Sequence, residues 1–426
     1  MSKSFSKISV IGLGYVGLPL SLQFARSGIK VLGLDLDPQK VDSINSGKSY
    51  FKQFSSESIA EQINAGCFEA TTDPSRLSEV EAVLICVPTP LDDHREPDLS
   101  FVLDTAQTIA PHLPKGVLVT LESTTYPGTT EDELRPLLEE GSGMKAGIDF
   151  HLAYSPERED PGREDASVKT IPKVMGGFTP KCADVAEALY GQALDKIHRV
   201  SSCKAAEATK LLENIFRSVN IALVNELKVV YEAMGIDVHE VIDAAATKPF
   251  GYMPFRPGPG LGGHCIPIDP FYLTWKAREF GKNTRFIELA GEINTTMPDY
   301  VISIVADALN DEGKSLKGSK ILILGLAYKA NVDDCRESPS FVLMEKLEAK
   351  GVVVEYHDSY LPVVPPTRGH ADFAGKQSAV IEDAYDLILL STDHSEYKEF
   401  DFSNFSCPLV DTRNCIDKRP QKYYQA

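Results

Sequence analysis

The 426-residue sequence predicts an α/β protein in which two doubly wound parallel-sheet domains are joined by a long central helix. Three patterns predict this architecture: alternating strand and helix signals over residues 1–198, a proline-free stretch at about 202–233, and a second strand–turn–helix–strand series from about 317. The predicted domains therefore span 1–198, 199–316 and 317–426.

The first domain opens with a strand, a glycine-rich turn and a helix. "KISVIGLG" is apolar enough for a buried strand, "GLPLSLQFARSG" has a helical pattern, and "KVLGLDLD" indicates a second strand. Further strands are predicted at "AVLICVP", "GVLVTLEST" and "FHLAYSP". Because strands that alternate with helices form parallel sheets, this segment is predicted to be doubly wound.

The central stretch "SCKAAEATKLLENIFRSVNIALVNELKVVYEAMG" has a serine at its start and ends at Gly235, as a single helix would. Its length exceeds that of most helices in globular domains, which indicates a helix that connects domains. Its apolar content continues through "VHEVIDAAA". We therefore expect a homodimer built on this central helix.

The third domain repeats the plan of the first with "KGSKILILGLAYK" and "SPSFVLMEKLEAKGVVVEYHDSYLP", followed by strands at "DLILLSTDH" and "CPLVDTRN". Its first turn lacks the glycine spacing of the N-terminal turn and carries Lys329 and Arg336 instead. Two interpretations are open: a second anionic ligand held by side-chain charge, or two basic residues on a solvated surface.

Composition excludes several function classes. The formal net charge is −18 and no Lys/Arg-rich block occurs, which argues against nucleic-acid binding. No apolar run reaches the roughly 20 residues that span a bilayer, so no membrane association is expected. The eight cysteines form no CxxC pair, and no metal site is expected. The N-terminus leads directly into a strand without a signal-peptide pattern, which predicts a cytoplasmic protein.

"GLGYVG" follows the first strand and opens a helix, as in a Rossmann-like dinucleotide site. Gly12 permits the tight turn, Gly14 lets the backbone approach a pyrophosphate, and Gly17 allows helix and strand to pack closely. Asp35 ends the second strand, where its carboxylate accepts hydrogen bonds from ribose hydroxyls and repels a 2′-phosphate. NAD is therefore the predicted cofactor, in preference to NADP.

"PGPGLGGHCIPIDP" (257–270) places Cys265 in a segment whose glycines and prolines exclude an ordinary helix or strand. Either Cys265 has no functional role, or the loop serves to position its thiol. On the central helix, Lys210 and Asn214 are four residues apart and project from one face. The lysine stands within the largely apolar "EATKLLENIF", where partial burial makes it less inert than a solvated lysine.

These motifs together resemble the UDP-glucose/GDP-mannose dehydrogenase family. The similarity extends over essentially the whole chain, through "VPTP" (87–90), "ESTTYPGT" (122–129), "SPERED" (155–160), "GLAYKANVDDCRESPS" (325–340) and "DTRN" (411–414). The resemblance implies an NAD-dependent oxidation of C6 of a nucleotide sugar from alcohol to acid, which supplies precursors for polysaccharides or other glycans.

The resemblance also implies the roles of individual residues. Cys265 matches the nucleophile, Lys210 the stabiliser of the developing oxyanion, and Asn214 its partner that also bonds the sugar. Asp269 matches the carboxylate that aligns water and the lysine, while Glu157 and Thr124 match groups near the sugar and the nicotinamide. Cofactor contacts are implied at Gly12, Leu13, Gly14, Tyr15, Val16, Gly17, Asp35, Lys40, Pro88, Thr89, Thr124 and Arg336. Substrate contacts are implied at Glu157, Arg158, Lys210, Asn214, Arg256, Gly258, Gly260, Gly262, Lys329 and Arg413.

The chemistry of the residues agrees with these roles. A thiolate that adds to the intermediate aldehyde forms a thiohemiacetal, and a second oxidation yields a thioester that water cleaves. "SPEREDPG" and "GGHCIPIDPFYLTWKA" favour UDP-N-acetylglucosamine as the sugar, and Pro161 stands where UDP-glucose enzymes usually carry a second glutamate. UDP-N-acetylmannosamine, UDP-N-acetylgalactosamine and UDP-glucose remain alternatives.

Two other classes of protein share parts of this pattern. A β-hydroxyacid dehydrogenase also uses a Rossmann-like domain, a long helix and a Lys/Asn pair, but stops after one oxidation and needs neither Cys265 nor the third domain. A non-catalytic NAD-dependent scaffold would bind the cofactor without reducing it.

Overall fold

The computed structural model describes residues 4–51, 54–92, 96–158, 168–263, 266–367 and 369–426. The chain divides into two compact units. The first unit comprises Met1–Glu213 and Phe271–Asn283, and the second comprises Asn214–Pro270 and Thr284–Ala426.

The described part of the first unit contains an eight-stranded sheet with the order β3-β2-β1-β4-β5-β6-β7-β8. Its strands are parallel except at one pair, where β7 runs antiparallel to β6. The strands are β1 (Lys7–Ile11), β2 (Lys30–Leu34), β3 (Phe68–Thr71), β4 (Ala82–Ile85), β5 (Leu118–Leu121), β6 (His151–Tyr154), β7 (Lys173–Gly177) and β8 (Ile197–Arg199).

Six helices of the first unit connect these strands: α1 (Gly17–Arg26), α2 (Pro38–Asn45), α3 (Ser56–Asn64), α4 (Ser100–Ile109), α5 (Arg135–Ser142) and α6 (Pro180–Tyr190). The sheet has an apolar core on each face, because alternate strand residues point to opposite sides. In β1, Ile8 and Val10 belong to one core, whereas Ile11 belongs to the other.

Between the two sheets the described chain forms four helices: α7 (Cys203–Ala233), α8 (Val238–Ala246), α9 (Asp269–Glu279) and α10 (Arg285–Asp311). Helix α7 has 31 residues and supplies residues to both units. Its length agrees with the central helix predicted from the proline-free stretch. Helix α10 is also long and contains Pro298 in its interior.

The second unit has a parallel sheet of five described strands in the order β10-β9-β11-β12-β13. Apolar residues again alternate between two cores, as Ile321 and Ile323 lie on one face and Leu322 and Leu324 on the other. Its elements are β9 (Lys320–Leu324), α11 (Pro339–Ala349), β10 (Val353–His357), β11 (Leu387–Leu390), α12 (Ser395–Glu399), β12 (Leu409–Asp411) and β13 (Tyr423–Gln425).

The predicted fold class, two parallel-sheet α/β domains with a long central helix, is confirmed. The domain bounds 1–198, 199–316 and 317–426 stay a prediction. None of the helices within the described ranges is long and apolar enough to cross a membrane. The same residues contain no group of three or more His, Cys, Asp or Glu side chains placed to hold a metal ion.

Candidate functional site

The turn after β1 carries the glycine motif that was predicted to bind a dinucleotide. Gly12 has a φ of 85°, and a Cβ there would lie 2.8 Å from the carbonyl oxygen of Cys86. A Cβ on Gly17 would lie 1.9 Å from the carbonyl oxygen of Gly12. Both positions therefore need glycine, because the turn, β4 and α1 pack without room for a side chain.

Gly14 is different, since a Cβ there would meet no protein atom within 4 Å. It lies in the turn before α1, with Leu13 on one side and Tyr15 and Val16 on the other. The N–H groups at the start of a helix favour anions. The residues of this turn thus fit the pyrophosphate of NAD, which approaches the backbone where Gly14 has no side chain.

Asp35 follows β2 and is fixed by the backbone around it. Its Oδ2 accepts a hydrogen bond from the Leu13 N–H at 2.8 Å, and its Oδ1 accepts one from the Asp37 N–H at 3.0 Å. The Nζ of Lys40 lies 3.7 Å from Asp35 Oδ2. The predicted cofactor residues Asp35 and Lys40 are therefore neighbours, beside the glycine turn.

The predicted cofactor residues Pro88, Thr89 and Thr124 lie in the loops after β4 and β5. Ser123 Oγ donates to the Val87 carbonyl oxygen at 2.6 Å, so these two loops are bonded to each other. Pro88 is exposed and Thr124 is half-buried. Since parallel strands end at the same edge of a sheet, these residues and the glycine turn share the carboxyl edge, where ligands of doubly wound sheets bind.

Glu207, which sequence reasoning missed, holds the loop that follows Thr124. Its carboxylate is buried on α7 and accepts hydrogen bonds from the Gly128 N–H at 2.6 Å, the Thr130 N–H at 2.9 Å and the Thr130 hydroxyl at 2.7 Å. Burial raises the pKa of Glu207, and these donors oppose that shift. The only local signal for this residue is its position three residues before Lys210.

The loop after β6 carries the predicted substrate residues Glu157 and Arg158. Arg158 forms an ion pair with Glu213, with 2.6 Å between Nη2 and Oε1, and also donates to the Pro172 carbonyl oxygen. Glu157 Oε1 accepts a hydrogen bond from the Arg158 N–H at 2.6 Å. Arg158 is thus engaged within the protein, and its contact with substrate stays a prediction. Pro161 lies outside the described residues.

Lys210, Asn214 and Asp269 were predicted to act together. Lys210 is buried on α7. Asn214 and Asp269 are both buried, and the Asn214 Nδ2 donates to Asp269 Oδ2 across 55 positions of sequence. The structure therefore brings these two predicted residues together. Cys265 lies outside the described residues, as does His264.

The glycine loop before Cys265 is closely packed within the second unit. A Cβ on Gly258 would lie 2.4 Å from Nη1 of Arg413, and a Cβ on Gly262 would lie 2.8 Å from the Tyr328 Cβ. Gly260 has a φ of 138°, which side chains rarely tolerate. The loop thus brings Gly258 against Arg413, and both were predicted to contact substrate.

The remaining predicted residues also lie in the second unit. Lys329 is half-buried in the turn after β9. Arg336 in the same turn forms an ion pair with Asp334, with 2.6 Å between Nη2 and Oδ2. Arg256 is exposed and pairs with Asp243. The contact of Arg336 with the cofactor stays a prediction.

Asp358 and His394, neither of which was predicted, hold the turn that carries Lys329. Asp358 Oδ2 accepts hydrogen bonds from the Leu326 and Ala327 N–H groups and lies 3.0 Å from His394 Nε2. Burial would raise the pKa of Asp358, but His394 and the backbone donors outweigh it and lower the pKa. The signal for both is polar residues directly after apolar strands, at "HDS" and "STDH".

Three consecutive segments of the chain match the domains of one family. Residues 6–194 match the NAD binding domain of the UDP-glucose/GDP-mannose dehydrogenase family. Residues 204–296 match its central domain, and residues 322–418 match its UDP binding domain.

Individual relatives are similar over almost their full length. The chain is 35% identical over 411 residues to the UDP-N-acetyl-D-glucosamine 6-dehydrogenase of Pseudomonas aeruginosa, and 93% of each chain is covered. It is 36% identical over 421 residues to the UDP-N-acetyl-D-mannosamine dehydrogenase of Pyrococcus horikoshii, with 97% of each covered. A solved structure of the UDP-D-ManNAc dehydrogenase from Pyrococcus horikoshii superimposes with a TM-score of 0.89, at 33% identity and 98% coverage of both chains.

Proposed function

Because the chain belongs to the UDP-glucose/GDP-mannose dehydrogenase family and is an NAD-dependent oxidoreductase, we propose that it oxidises C6 of UDP-N-acetylglucosamine to the acid. The observation that supports the chemistry most directly is the buried hydrogen bond between Asn214 and Asp269. These residues match the family's motifs on either side of the Cys265 loop, and a buried amide–carboxylate pair there is suited to align a substrate hydroxyl and a water molecule.

The proposed roles follow from the chemistry of the side chains. When bound, NAD supplies the hydride acceptor for each of the two oxidations. Lys210 stabilises the oxyanion that develops on the sugar oxygen. The Cys265 thiolate adds to the intermediate aldehyde, and the resulting adduct is oxidised to a thioester. Asp269 and Glu157 serve in the activation of the water that cleaves this thioester.

The choice of sugar rests on weaker support than the reaction. The UDP binding domain supports a UDP-sugar, and one relative is named for UDP-N-acetylglucosamine while another is named for UDP-N-acetylmannosamine. We favour the former because of "SPERED" and of Pro161, which replaces the second glutamate usual in UDP-glucose enzymes.

A panel of UDP-sugars tests the proposal. UDP-N-acetylglucosamine should give the highest kcat/KM and two NADH per sugar oxidised. A higher kcat/KM with UDP-N-acetylmannosamine or UDP-glucose would contradict the choice of sugar and leave the chemistry intact. One NADH per sugar would instead favour a single-step dehydrogenase of the β-hydroxyacid type.

Replacement of the proposed nucleophile tests the mechanism. Cys265→Ala should abolish acid formation, because no thiol holds the aldehyde for the second oxidation. The matched control is Cys67→Ala, which changes a partly exposed cysteine of the first unit and should keep the wild-type rate. Wild-type acid formation in Cys265→Ala, measured as uronic acid by product analysis, would end the proposal.

We further propose that α7 builds a homodimer. Phe216, Leu223 and Val230 are exposed, and their spacing of seven and seven residues places them on one face of the helix. Exposed apolar side chains that line one helix face mark an interaction surface. The same helix in a second copy of the chain is the partner of matching chemistry. We call these three residues the α7 stripe.

A further inference from the structure

Lys173 is a buried lysine that no part of the proposed mechanism uses. It is the first residue of β7 and is 5% exposed. Its Nζ lies 2.6 Å from Glu122 Oε2 and 3.9 Å from Glu157 Oε2, and it donates to the Pro156 carbonyl oxygen at 3.1 Å. The ammonium group therefore contacts the loop that carries Glu157 at two points.

The reversed direction of β7 explains how Lys173 reaches this loop. In the antiparallel pair, Ala153 lies opposite Gly177 and Tyr154 opposite Gly176. Continuing this register by three residues places Lys173 level with Glu157. A parallel strand would have put its first residue at the opposite edge of the sheet, away from the carboxyl ends of β5 and β6.

Glu122 anchors the ammonium from the other side. One of its carboxylate oxygens, Oε1, accepts hydrogen bonds from the Tyr190 hydroxyl and from the Thr120 hydroxyl, and the other oxygen faces Lys173. Burial would lower the pKa of Lys173, but the Glu122 and Glu157 carboxylates outweigh it and raise the pKa. The lysine thus stays charged in a site that contains two carboxylates.

We propose that Lys173 is a positioning residue for Glu157, whose carboxylate it holds in place to accept a proton. The inference rests on the proposed function. In the hydrolytic step, water oxygen forms a bond to the thioester carbon, one water proton passes to the Glu157 carboxylate, and the carbon–sulfur bond breaks to release the Cys265 thiolate. Lys173 itself touches no reacting atom.

Four described elements contribute side chains to the cluster around Lys173. Glu122 follows β5, Cys86 follows β4, Tyr190 ends α6, and Glu157 follows β6. Burial raises the pKa of the Cys86 thiol, and burial together with Glu122 raises the pKa of Tyr190, so both stay neutral at physiological pH. In this cluster, Lys173 and Glu122 are the charged side chains that accompany Glu157.

The test is Lys173→Met, compared with Lys169→Met, whose lysine is exposed and pairs with Asp195. Because Lys173→Met removes the cation that holds Glu157, kcat for acid formation should fall by about tenfold or more, while KM for the UDP-sugar stays within about twofold. A sugar adduct should accumulate on the protein, seen by intact mass, while the Lys169→Met variant keeps the wild-type kinetics.

A second arm separates positioning of Glu157 from a general loss of structure. Lys173→Met should slow hydrolysis less in a Glu157→Gln background than in the wild type, because its effect passes through Glu157. A general loss of structure would slow hydrolysis equally in both backgrounds.

A failure of the role proposed for Lys173 can be distinguished from a failure of the proposed function. An enzyme that makes the acid, but whose kcat is unchanged by Lys173→Met, would overturn the role of Lys173. Equal slowing by Lys173→Met in the wild-type and Glu157→Gln backgrounds would overturn it as well. Failure of the proposed function appears in the wild-type protein itself, as absence of acid.

Discussion

Asp35 shows how a single side chain serves both structure and selectivity. Its two carboxylate oxygens accept hydrogen bonds from the N–H groups of Leu13 and Asp37, which fixes the carboxylate at the end of β2. Each oxygen has a second lone pair for a ribose hydroxyl. The carboxylate would therefore repel a 2′-phosphate, because the backbone hydrogen bonds hold its negative charge in this position.

We therefore expect NAD to be preferred over NADP by at least about tenfold in kcat/KM, about 1.4 kcal/mol. Asp35→Asn should narrow this ratio, because the repulsion is removed while the side-chain shape is kept. The control is Asp73→Asn, which removes the acid that follows the neighbouring strand β3 and accepts a hydrogen bond from Ser75. Steady-state kinetics with both cofactors measures the ratio, and equal values for the wild-type enzyme would contradict the role of Asp35.

At the scale of residues, sequence predicted what depends on local geometry. Gly12 and Gly17 must be glycine because of atoms in the same strand–turn–helix segment or beside it, and their spacing is visible in the sequence. Glu207 and Lys173 were not predicted, since each acts on partners tens of residues away: Gly128 is 79 positions from Glu207, and Glu122 is 51 positions from Lys173. The sequence around a single charged residue does not indicate a partner so far away along the chain.

The start of α7 is tied to the loop after β5 by one buried side chain. Glu207 satisfies two backbone N–H groups and one hydroxyl that no other described acceptor contacts. Those donors lie at the start of the helical segment Thr129–Leu134. The connection fixes α7 relative to the loop that carries Thr124.

Glu207→Ala should therefore lower the free energy of unfolding by about 2–4 kcal/mol, because it leaves these buried donors without an acceptor. Glu61→Ala is the matched control, as Glu61 is exposed on α3 and its loss should change stability by about 0.5 kcal/mol or less. Urea unfolding measures both, and equal effects of the two substitutions would contradict the role of Glu207.

At the scale of elements, local rules predicted most strands and the central helix but missed several elements, among them β7 and α10. Five residues with two glycines, "KVMGG", carry little strand signal, and β7 is fixed by its pairing with β6 and β8. Pro298 would end a helix by local rules, since it removes a donor and crowds the preceding turn. Helix α10 nevertheless continues for 27 residues, because buried residues on both sides of Pro298 pack against the core.

At the scale of the whole molecule, the α7 stripe leads to a prediction about assembly. The protein should sediment as a dimer of its 46.7 kDa chain at micromolar concentration. Leu223→Glu combined with Val230→Glu should shift it toward the monomer, since two buried charges face each other without partners. Ile148→Glu, which changes an exposed apolar residue of the first unit, should leave the dimer intact. A wild-type protein that sediments only as a monomer would refute the interface.

The interleaved course of the chain has a consequence for the order in which the molecule folds during synthesis. The first unit is completed by Phe271–Asn283, where the Tyr272 hydroxyl donates to the Thr89 carbonyl oxygen and Trp275 lies 5.0 Å from the Tyr126 ring. A nascent chain that has emerged only as far as Glu213 therefore has the eight-stranded sheet but lacks these contacts. Trp275 is the only tryptophan in the sequence, so its fluorescence reports the moment at which this late segment docks.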